Sequence, residues 1–207
     1  MSSINLKWIT PNAEKEILHI ARVSSPNPDS EQTGLIRYLI AHRHWSPFEM
    51  ANMCLEIKTS RAISAQILRH RSFSFQEFSQ RYALITDFEL IRARKQSTQN
   101  RQSSTDDLDP ATMGWFTSEQ DRLEHLAKDL YNEAIDRGVA RESARFVLPM
   151  NASTKLYMNG TIRSWIHYLM ERISPDAQLE HRELAKQAQD IFRKELPIIS
   201  AALSWTE

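Results

Sequence analysis

R-H-R-S-F-S-F-Q-E-F-S-Q-R-Y (residues 69–82) is the most informative stretch of this chain. Three arginines, a histidine, a glutamate and three serines fall within its first thirteen residues, interleaved with aromatic side chains. Guanidinium groups bind phosphate through two parallel hydrogen bonds, serine hydroxyls add neutral donors, and a single carboxylate among cations can hold a ribose hydroxyl. This combination of side chains indicates a nucleotide-binding pocket.

The composition places this stretch on an electrically neutral protein. The 207 residues include 26 Lys+Arg and 26 Asp+Glu. The arginines of the stretch are therefore a local positive charge, which favours a small anionic ligand over a nucleic acid, whose binding proteins usually carry a basic excess. Only four glycines occur, and neither G-x-G-x-x-G nor G-K-[ST] is present. Side chains must therefore bind any phosphate.

Cysteine content and hydropathy bear on the cellular location. Cys54 is the single cysteine, which excludes an intramolecular disulfide and a cysteine-rich zinc site. The first residues lack a basic region followed by an apolar run, and no apolar stretch approaches the roughly 20 residues of a membrane span. We therefore expect a cytoplasmic protein that has no membrane partner.

Apolar spacing predicts an α+β fold, a helix-rich single domain over residues 1–207 with a small antiparallel or mixed sheet. The sheet is expected around 51–58, where Met53, Leu55 and Ile57 alternate with less apolar residues, and around 81–91. Helical spacing recurs along the rest of the chain, in segments 11–24, 33–41, 60–68, 117–138, 141–148, 162–173 and 174–192. Residues 94–112 are polar and lack apolar periodicity, which predicts a mobile loop or insertion.

Several helix ends have sequence signals of their own. Ser60 is placed as the cap of a helix, and Thr117 with Gln120 has the spacing of a capping box. The run Ser174-Pro175-Asp176 combines a cap, a proline at the first helical position and an acid, which predicts a helix start. Gly138 is expected to end the helix that Thr117 begins.

Two further groups carry candidate functional residues. His42, His44 and Glu49 lie in a polar loop and could suggest a metal site, although two histidines at i and i+2 in a loop are a weak pattern. Arg141 and Arg145 lie four residues apart on one helix face, just before Leu148 and Pro149. By themselves these arginines are compatible with a solvated surface.

Four blocks together resemble the flavin-dependent thymidylate synthases. The pattern R-H-R-x-x-S-x-x-E-x-S-x-R lies at 69–81, H-x-S-P-F-E at 44–49 and A-R-x-x-L-P at 144–149, and a fourth block spans 161–178. They occur in the order that this family has. The resemblance implies reductive methylation of dUMP to dTMP, with methylenetetrahydrofolate as one-carbon donor, FAD as cofactor and NADPH as reductant, yielding tetrahydrofolate. It also implies a homotetramer whose sites are shared between subunits.

The resemblance also assigns residues to roles, with Arg172 as the catalytic group that grips the pyrimidine. It assigns to dUMP the residues Gln66, Arg69, Glu77, Ser79, Gln80, Arg81, Arg145 and Arg172. It assigns to FAD the residues His44, Ser46, Arg69, His70, Arg71, Glu77, Thr161, Arg163 and His167. No metal ligand is implied. Thr161 and His167 stand where relatives often carry asparagine, and Gln76 replaces the common asparagine before Glu77.

Three alternatives remain open. An RNA-binding module would use the arginines with Phe73, Phe75 and Phe78 as stacking platforms, although the neutral net charge counts against it. A metal phosphohydrolase would use His42, His44 and Glu49, but lacks a coherent third and fourth ligand. Cys54 could be the nucleophile, as in the unrelated cysteine-dependent thymidylate synthases, but its position within a strand favours a role as a small apolar side chain.

Overall fold

The computed structural model describes residues 2–28, 30, 32–85 and 87–205. Its strands are β1 (Ser3–Ile9), β2 (Asn52–Ser60), β3 (Phe73–Glu77), β4 (Lys95–Gln96), β5 (Ser104–Thr105) and β6 (Ser153–Thr161). Its helices are α1 (Ala13–Ala21), α2 (Gly34–Ala41), α3 (Arg61–Ile67), α4 (Pro110–Asp136), α5 (Arg141–Ala144), α6 (Ile162–Arg172), α7 (Leu179–Glu195) and α8 (Pro197–Ala202). Short 3-10 turns cover Ser46–Glu49 and Arg145–Val147. The α+β prediction is confirmed.

One four-stranded antiparallel sheet, in the order β1-β2-β6-β3, is the frame of the fold. Successive side chains of a strand point to opposite faces. Met53, Leu55 and Ile57 of β2 therefore lie buried on one face, opposite Leu156 and Met158 of β6. The strand predicted at 51–58 is thus confirmed. The strand predicted at 81–91 is wrong, since the described residues of that segment (81–85 and 87–91) contribute only an isolated bridge between Phe88 and Ala152.

Helices α6 and α7 contribute much of the core against the buried face of the sheet. Trp165 of α6 is fully buried, and its indole N–H donates to the carbonyl of Met53 at 2.9 Å. Leu184 and Phe192 of α7 are fully buried as well, as the apolar spacing predicted. The end of α6 and the beginning of α7 are thereby fixed with respect to the sheet.

The start of α4 is a correction to the sequence prediction. The helix begins at Pro110 rather than at Thr117, because Asp109 is its N-cap and accepts from the backbone N–H groups of Ala111 and Thr112. An acidic cap followed by proline is a strong start signal. Thr117 instead lies within the helix and donates to the carbonyl of Met113 at 3.0 Å. Gly138, with φ of 84°, follows the end of α4 as predicted.

The start of α7 and the cap of α3 also differ from the predictions. Helix α7 begins at Leu179, after Gln178, and Ser174 instead opens a turn in which its carbonyl accepts from the N–H of Ala177. Ser60 occupies the N-cap position of α3, but its side chain makes no capping bond. The predicted loop at 94–112 contains the β4–β5 hairpin and the first residues of α4.

Helix α4 spans 27 residues and exposes large apolar side chains to the surface. Those more than 45% exposed are Trp115, Leu123, Leu126 and Leu130. Charged residues interrupt the helix, and none of the helices in the described part of the chain is long and apolar enough to cross a membrane. Clustered exposed apolar side chains are typical of surfaces that contact other proteins.

Gly160 provides a test of how tightly the sheet packs. It lies opposite Phe73 in the β3–β6 ladder, and an added Cβ would lie 2.4 Å from Cδ1 of that ring. Because cores are closely packed, the ring would have to move. We expect Gly160→Ala to lower the free energy of unfolding by about 1–3 kcal/mol, as measured by urea denaturation.

Gly114→Ala is the matched control for this substitution. Gly114 lies inside α4, and apart from its chain neighbours and the adjacent backbone of the helix, no atom lies within 4 Å of the position of its added Cβ. Alanine has the higher helix propensity, so this variant should be more stable than wild type by up to about 1 kcal/mol. Similar unfolding free energies for the two variants would contradict the close contact at Gly160.

Candidate active site

A cleft of about 680 Å³ lies beside the ends of α3 and α6. Its lining contains four of the predicted residues, Gln66, Arg69, His70 and Arg172, together with Gln102, Glu171, Asp176, Ala177 and Gln178. Gln66 lies in the last turn of α3 and Arg69 lies two residues beyond its end, and both line the same cleft. The cleft thus brings residues from the long motif together with the residue that ends α6.

Arg172 is held in place at the edge of this cleft. Its Nε donates to Nε2 of His70 at 2.9 Å, and its Nη2 lies 3.0 Å from a carboxylate oxygen of Glu171. Because Nε2 of His70 accepts a hydrogen bond, the proton of the neutral ring is on Nδ1. Burial, followed by the positive charge of Arg172, lowers the pKa of His70. The imidazole therefore orients the guanidinium without adding a second positive charge.

His181 is a buried residue behind the cleft that the sequence analysis did not identify. Its Nε2 lies 3.1 Å from the hydroxyl of Tyr168, and its Nδ1 lies 3.4 Å from Oε1 of Gln66. Burial, and then the positive charge of Arg172, lower the pKa of His181 to about 4. It lies three residues before Leu184 on the buried face of α7. The sequence could have indicated this residue, because a polar side chain there interrupts a stripe of apolar ones.

An ion pair ties the β4–β5 segment to the beginning of α7. Arg94 donates to both carboxylate oxygens of Glu180, at 2.6 and 3.0 Å, and both side chains are 12% exposed. Burial opposes the charged form of Glu180, but the hydrogen bonds from Arg94 and Gln178 outweigh it, and the pKa of Glu180 is lowered. The region expected to be a loop or insertion thus contacts the rim of the cleft.

Glu77 belongs to a separate group at the beginning of α3. Its Oε1 accepts from the hydroxyl of Ser64 at 2.5 Å and from that of Thr154 at 3.1 Å, and it lies 2.6 Å from Nη1 of Arg61. Sequence analysis identified none of these three partners. The carboxylate is therefore already held by the protein, on the same face of β3 as Phe73 and Phe75.

The remaining residues predicted for dUMP, Ser79, Gln80, Arg81 and Arg145, form another group. Nη2 of Arg81 lies 3.1 Å from a carboxylate oxygen of Glu142, and both side chains are largely exposed. Nη1 of Arg141 donates to the carbonyl of Tyr82 at 2.6 Å, and Nε of Arg145 donates to the carbonyl of Glu142 at 3.3 Å. The backbone N–H of Arg81 also donates to the hydroxyl of Ser79 at 3.3 Å, and Gln80 between them is buried.

Five of the residues predicted for FAD, namely His44, Ser46, Thr161, Arg163 and His167, lie around the 3-10 turn Ser46–Glu49 and the first half of α6. Arg163 forms an ion pair with Glu49, and the ring of His167 lies 4.9 Å from that of Trp45. Ser46 begins the turn, and His44 stacks edge-on against Tyr38. Thr161 is the N-cap of α6, where its hydroxyl accepts from the N–H of Ser164 at 3.2 Å. The hydroxyl of Ser164 in turn donates to the carbonyl of Ser72, within the long motif.

The geometry disfavours the alternative functions. Phe73 is only 8% exposed and packs 4.9 Å from the ring of Trp165, so it offers no free face to a nucleic-acid base. His42 stacks on Tyr38, and Glu49 is paired with Arg163. Over residues 2–28, 30, 32–85 and 87–205, no group of three or more His, Cys, Asp or Glu side chains could hold a metal ion.

Cys54 lies within β2, opposite Trp8 and Asn159 on the neighbouring strands. The side chain is buried, and burial raises the pKa of the thiol. A raised pKa disfavours the thiolate, which is the nucleophilic form of cysteine. The position therefore suits packing better than nucleophilic attack.

Comparison with known proteins agrees with the sequence motifs. Residues 5–198 match the family of the thymidylate synthase complementing protein. The chain is 50% identical over 190 residues to the flavin-dependent thymidylate synthase of Synechocystis sp., covering 91% of this chain and 88% of that protein. It is 49% identical over 197 residues to a probable flavin-dependent thymidylate synthase of Paramecium bursaria Chlorella virus 1, covering 93% and 91%.

A solved structure is similar over almost the whole chain. The UMP/dUMP methylase PolB from Streptomyces cacaoi, bound with 5-Br dUMP, superposes with a TM-score of 0.87 at 26% identity, covering 99% of this chain and 95% of that one. The resemblance stated from the four sequence blocks is thereby confirmed. The chain belongs to the family of the thymidylate synthase complementing protein, and it is an enzyme of the flavin-dependent thymidylate synthase type.

Proposed function

We propose that this enzyme methylates C5 of dUMP to give dTMP with FAD as its redox cofactor. Methylenetetrahydrofolate is the proposed one-carbon donor and NADPH the proposed reductant. The relatives' names support the flavin and the thymidylate product, and the 5-Br dUMP bound to PolB supports the nucleotide. The structural observation that carries the proposal is the cleft in which His70 orients Arg172 beside Gln66 and Arg69.

Arg172 is the proposed catalytic residue. When C5 of the pyrimidine acts as a nucleophile, negative charge builds up on O4 and N3 of the ring. A cation that is already oriented stabilises this charge without reorganising during the reaction. His70 and Glu171 hold Arg172 in one orientation, and a neutral His70 leaves the positive charge on the guanidinium.

The remaining nucleotide contacts are assigned by chemistry. Gln66 and Arg69 line the cleft with Arg172 and would contact dUMP there. Ser79 and Arg81 would bind its phosphate, and Gln80 and Arg145 would contact the nucleotide as well. Glu77 is assigned a place between nucleotide and flavin. Arg81 would have to leave the carboxylate of Glu142 to bind a phosphate. The loss of this pair should cost little free energy, because exposed ion pairs contribute little to stability.

The FAD assignment fits the donors that the chain presents. Arg69 and Arg71 are exposed, and among the described residues neither guanidinium is paired with a carboxylate, so both are available to a pyrophosphate. His44, Ser46, Arg163 and His167 are also exposed and add further donors, with His70, Glu77 and Thr161 completing the assigned set. Once reduced by NADPH, bound FAD would supply the hydride that converts the transferred methylene group to methyl.

A homotetramer with shared sites would bring the separate groups together. In the described part of the chain, hydrogen bonds and ion pairs connect the predicted residues within these groups and not between them. Large aromatic side chains lie exposed next to Arg81 and Arg145, since Tyr82 and Phe146 are both 82% exposed. Such side chains are typical of protein interfaces. We therefore propose a subunit contact at this surface.

The cytoplasmic location remains a prediction.

Binding of FAD tests the cofactor assignment. The purified protein should be yellow or take up added FAD, with flavin absorbance and a higher melting temperature. Arg71→Ala should weaken this uptake, and Arg137→Ala, at a surface ion pair on α4, should leave it unchanged. A colourless protein whose spectrum and melting temperature do not respond to FAD in its assembled form would contradict the assignment.

Cys54→Ser should retain dTMP formation. The thiol is buried within β2, and its raised pKa disfavours the nucleophilic form, so we expect at most a loss of stability. Turnover and the melting temperature should be measured together. A folded variant that binds FAD and dUMP but forms no dTMP would instead support a covalent cysteine mechanism.

A further inference from the structure

A chain of hydrogen bonds at the cleft is donated in one direction, from Tyr168 in the core towards the ion pair at Glu180. A carboxylate can only accept, so the side-chain nitrogen of Gln178 donates to Glu180, at 2.8 Å. This orientation directs Oε1 of Gln178 to Gln66, whose Nε2 donates to it at 2.6 Å. The orientation of the first amide thus determines the orientation of the second.

The orientation of the Gln66 amide determines the tautomer of His181. With Nε2 of Gln66 bonded to Gln178, Oε1 of Gln66 faces Nδ1 of His181 at 3.4 Å. An amide oxygen only accepts, so Nδ1 carries the proton. Nε2 then accepts from the hydroxyl of Tyr168, at 3.1 Å. The lowered pKa of His181 agrees with a neutral ring that carries a single proton.

We propose that His181 is a positioning residue, which holds the amide of Gln66 in the orientation needed to bind the nucleotide. The inference rests on the proposed function, since Gln66 is assigned to dUMP there. His181 is only 1% exposed and so acts through Gln66, which lines the cleft. A rotated Gln66 amide would direct its NH2 group at Nδ1–H of His181, so that two donors would face each other, and its oxygen at Oε1 of Gln178, so that two acceptors would.

The surroundings of His181 argue against a purely structural role. Leu184 and Ala185, on the same helix, are fully buried and apolar. A buried polar side chain costs stability unless its hydrogen bonds are made, and an apolar side chain of similar size would avoid that cost. The imidazole instead connects two polar groups, one of which lies on the wall of the cleft.

Affinity for dUMP tests the proposal in the FAD-loaded enzyme. His181→Leu should raise the dissociation constant of dUMP about five- to tenfold, the effect of about one hydrogen bond. His181→Asn keeps an N–H donor close to the position of Nδ1 and should recover most of the affinity. Leu184→Ala removes a buried apolar side chain of the same helix and leaves the hydrogen bonds of Gln66 in place, so it should bind dUMP like wild type.

A double-mutant cycle separates positioning from packing. In a Gln66→Ala background, His181→Leu should cause no further loss of dUMP affinity, because the group through which it acts is gone. Equal losses in both backgrounds, or unchanged affinity in His181→Leu, would overturn the proposal. Failure of the wild-type enzyme to bind dUMP would instead refute the proposed function.

The tautomer of His181 can be tested directly in the wild-type enzyme, with a variant needed only to assign the signal. In wild-type enzyme with 15N-labelled histidine, the proton of the neutral His181 ring should be found on Nδ1, with the signal assigned by its loss in His181→Asn. A proton on Nε2 would overturn the proposal, since Nδ1 could not then donate to Gln66.

Discussion

Arg172→Ala should slow dTMP formation about a hundred- to a thousandfold, the usual effect of removing a preorganised group that stabilises transition-state charge. Reduction of the flavin by NADPH should change far less, because no charge develops on the pyrimidine in that step. A residue that serves only the chemical step lowers turnover beyond its effect on ground-state binding. The structure supports this role, since His70 and Glu171 hold the guanidinium at the edge of the cleft.

Three measurements on the same variant isolate the step. They are dUMP affinity, anaerobic reduction of the flavin by NADPH, and tritium release from C5-labelled dUMP at saturating nucleotide. Arg172→Lys is the matched control for charge. It should not restore full activity, because an ammonium group cannot make the two parallel hydrogen bonds of a planar guanidinium. Tritium release at the wild-type rate in Arg172→Ala would mean that another group activates the pyrimidine.

Arg81→Ala should weaken dUMP binding about ten- to a hundredfold, which corresponds to the loss of one charge-assisted hydrogen bond to phosphate. Its surface ion pair with Glu142 contributes little to stability, so the variant should fold and bind FAD normally. Ser79→Ala should weaken dUMP binding in the same direction. Titration with dUMP and with FAD measures both expectations.

Arg137→Ala is the control for the loss of a surface arginine. Arg137 forms an exposed ion pair with Glu133 on α4, comparable to the pair of Arg81 with Glu142. Its removal should leave dUMP affinity unchanged. If Arg81→Ala and Ser79→Ala also bind dUMP like wild type, the phosphate must be bound elsewhere.

Local sequence signals predicted much of the helical framework. The apolar stripes of α6 and α7 were recognised because their buried residues recur at helical spacing, as at Trp165 and Leu184. Strand β3 was not predicted, although Phe73, Phe75 and Glu77 alternate as in a strand. These residues belong to the long motif and were interpreted as ligand-binding groups, not as part of a sheet. The start of α4 was missed because Asp109 and Pro110 end a polar segment that resembled a loop.

Site residues could be predicted where they belong to one continuous motif. They could not be predicted where their partners are far away in the sequence. Gln66, Arg69 and His70 lie close together in the sequence, and a single helix end brings them to the cleft. The pair of Arg94 with Glu180 joins residues 86 positions apart, and no local pattern signals it. His181 was missed for a different reason, because its helical position is typical of an apolar residue. Its partners become visible only when α6 and α7 pack together.

Turnover of dUMP by protein stripped of FAD, before and after FAD is restored, tests the central claim most directly. The assay should contain methylenetetrahydrofolate and NADPH and should follow both dTMP formation and tritium release from C5-labelled dUMP. We expect no dTMP from the stripped protein, and dTMP formation together with tritium release once FAD is added. Equal dTMP formation with and without FAD, or none in the FAD-loaded enzyme with all substrates present, would contradict the account.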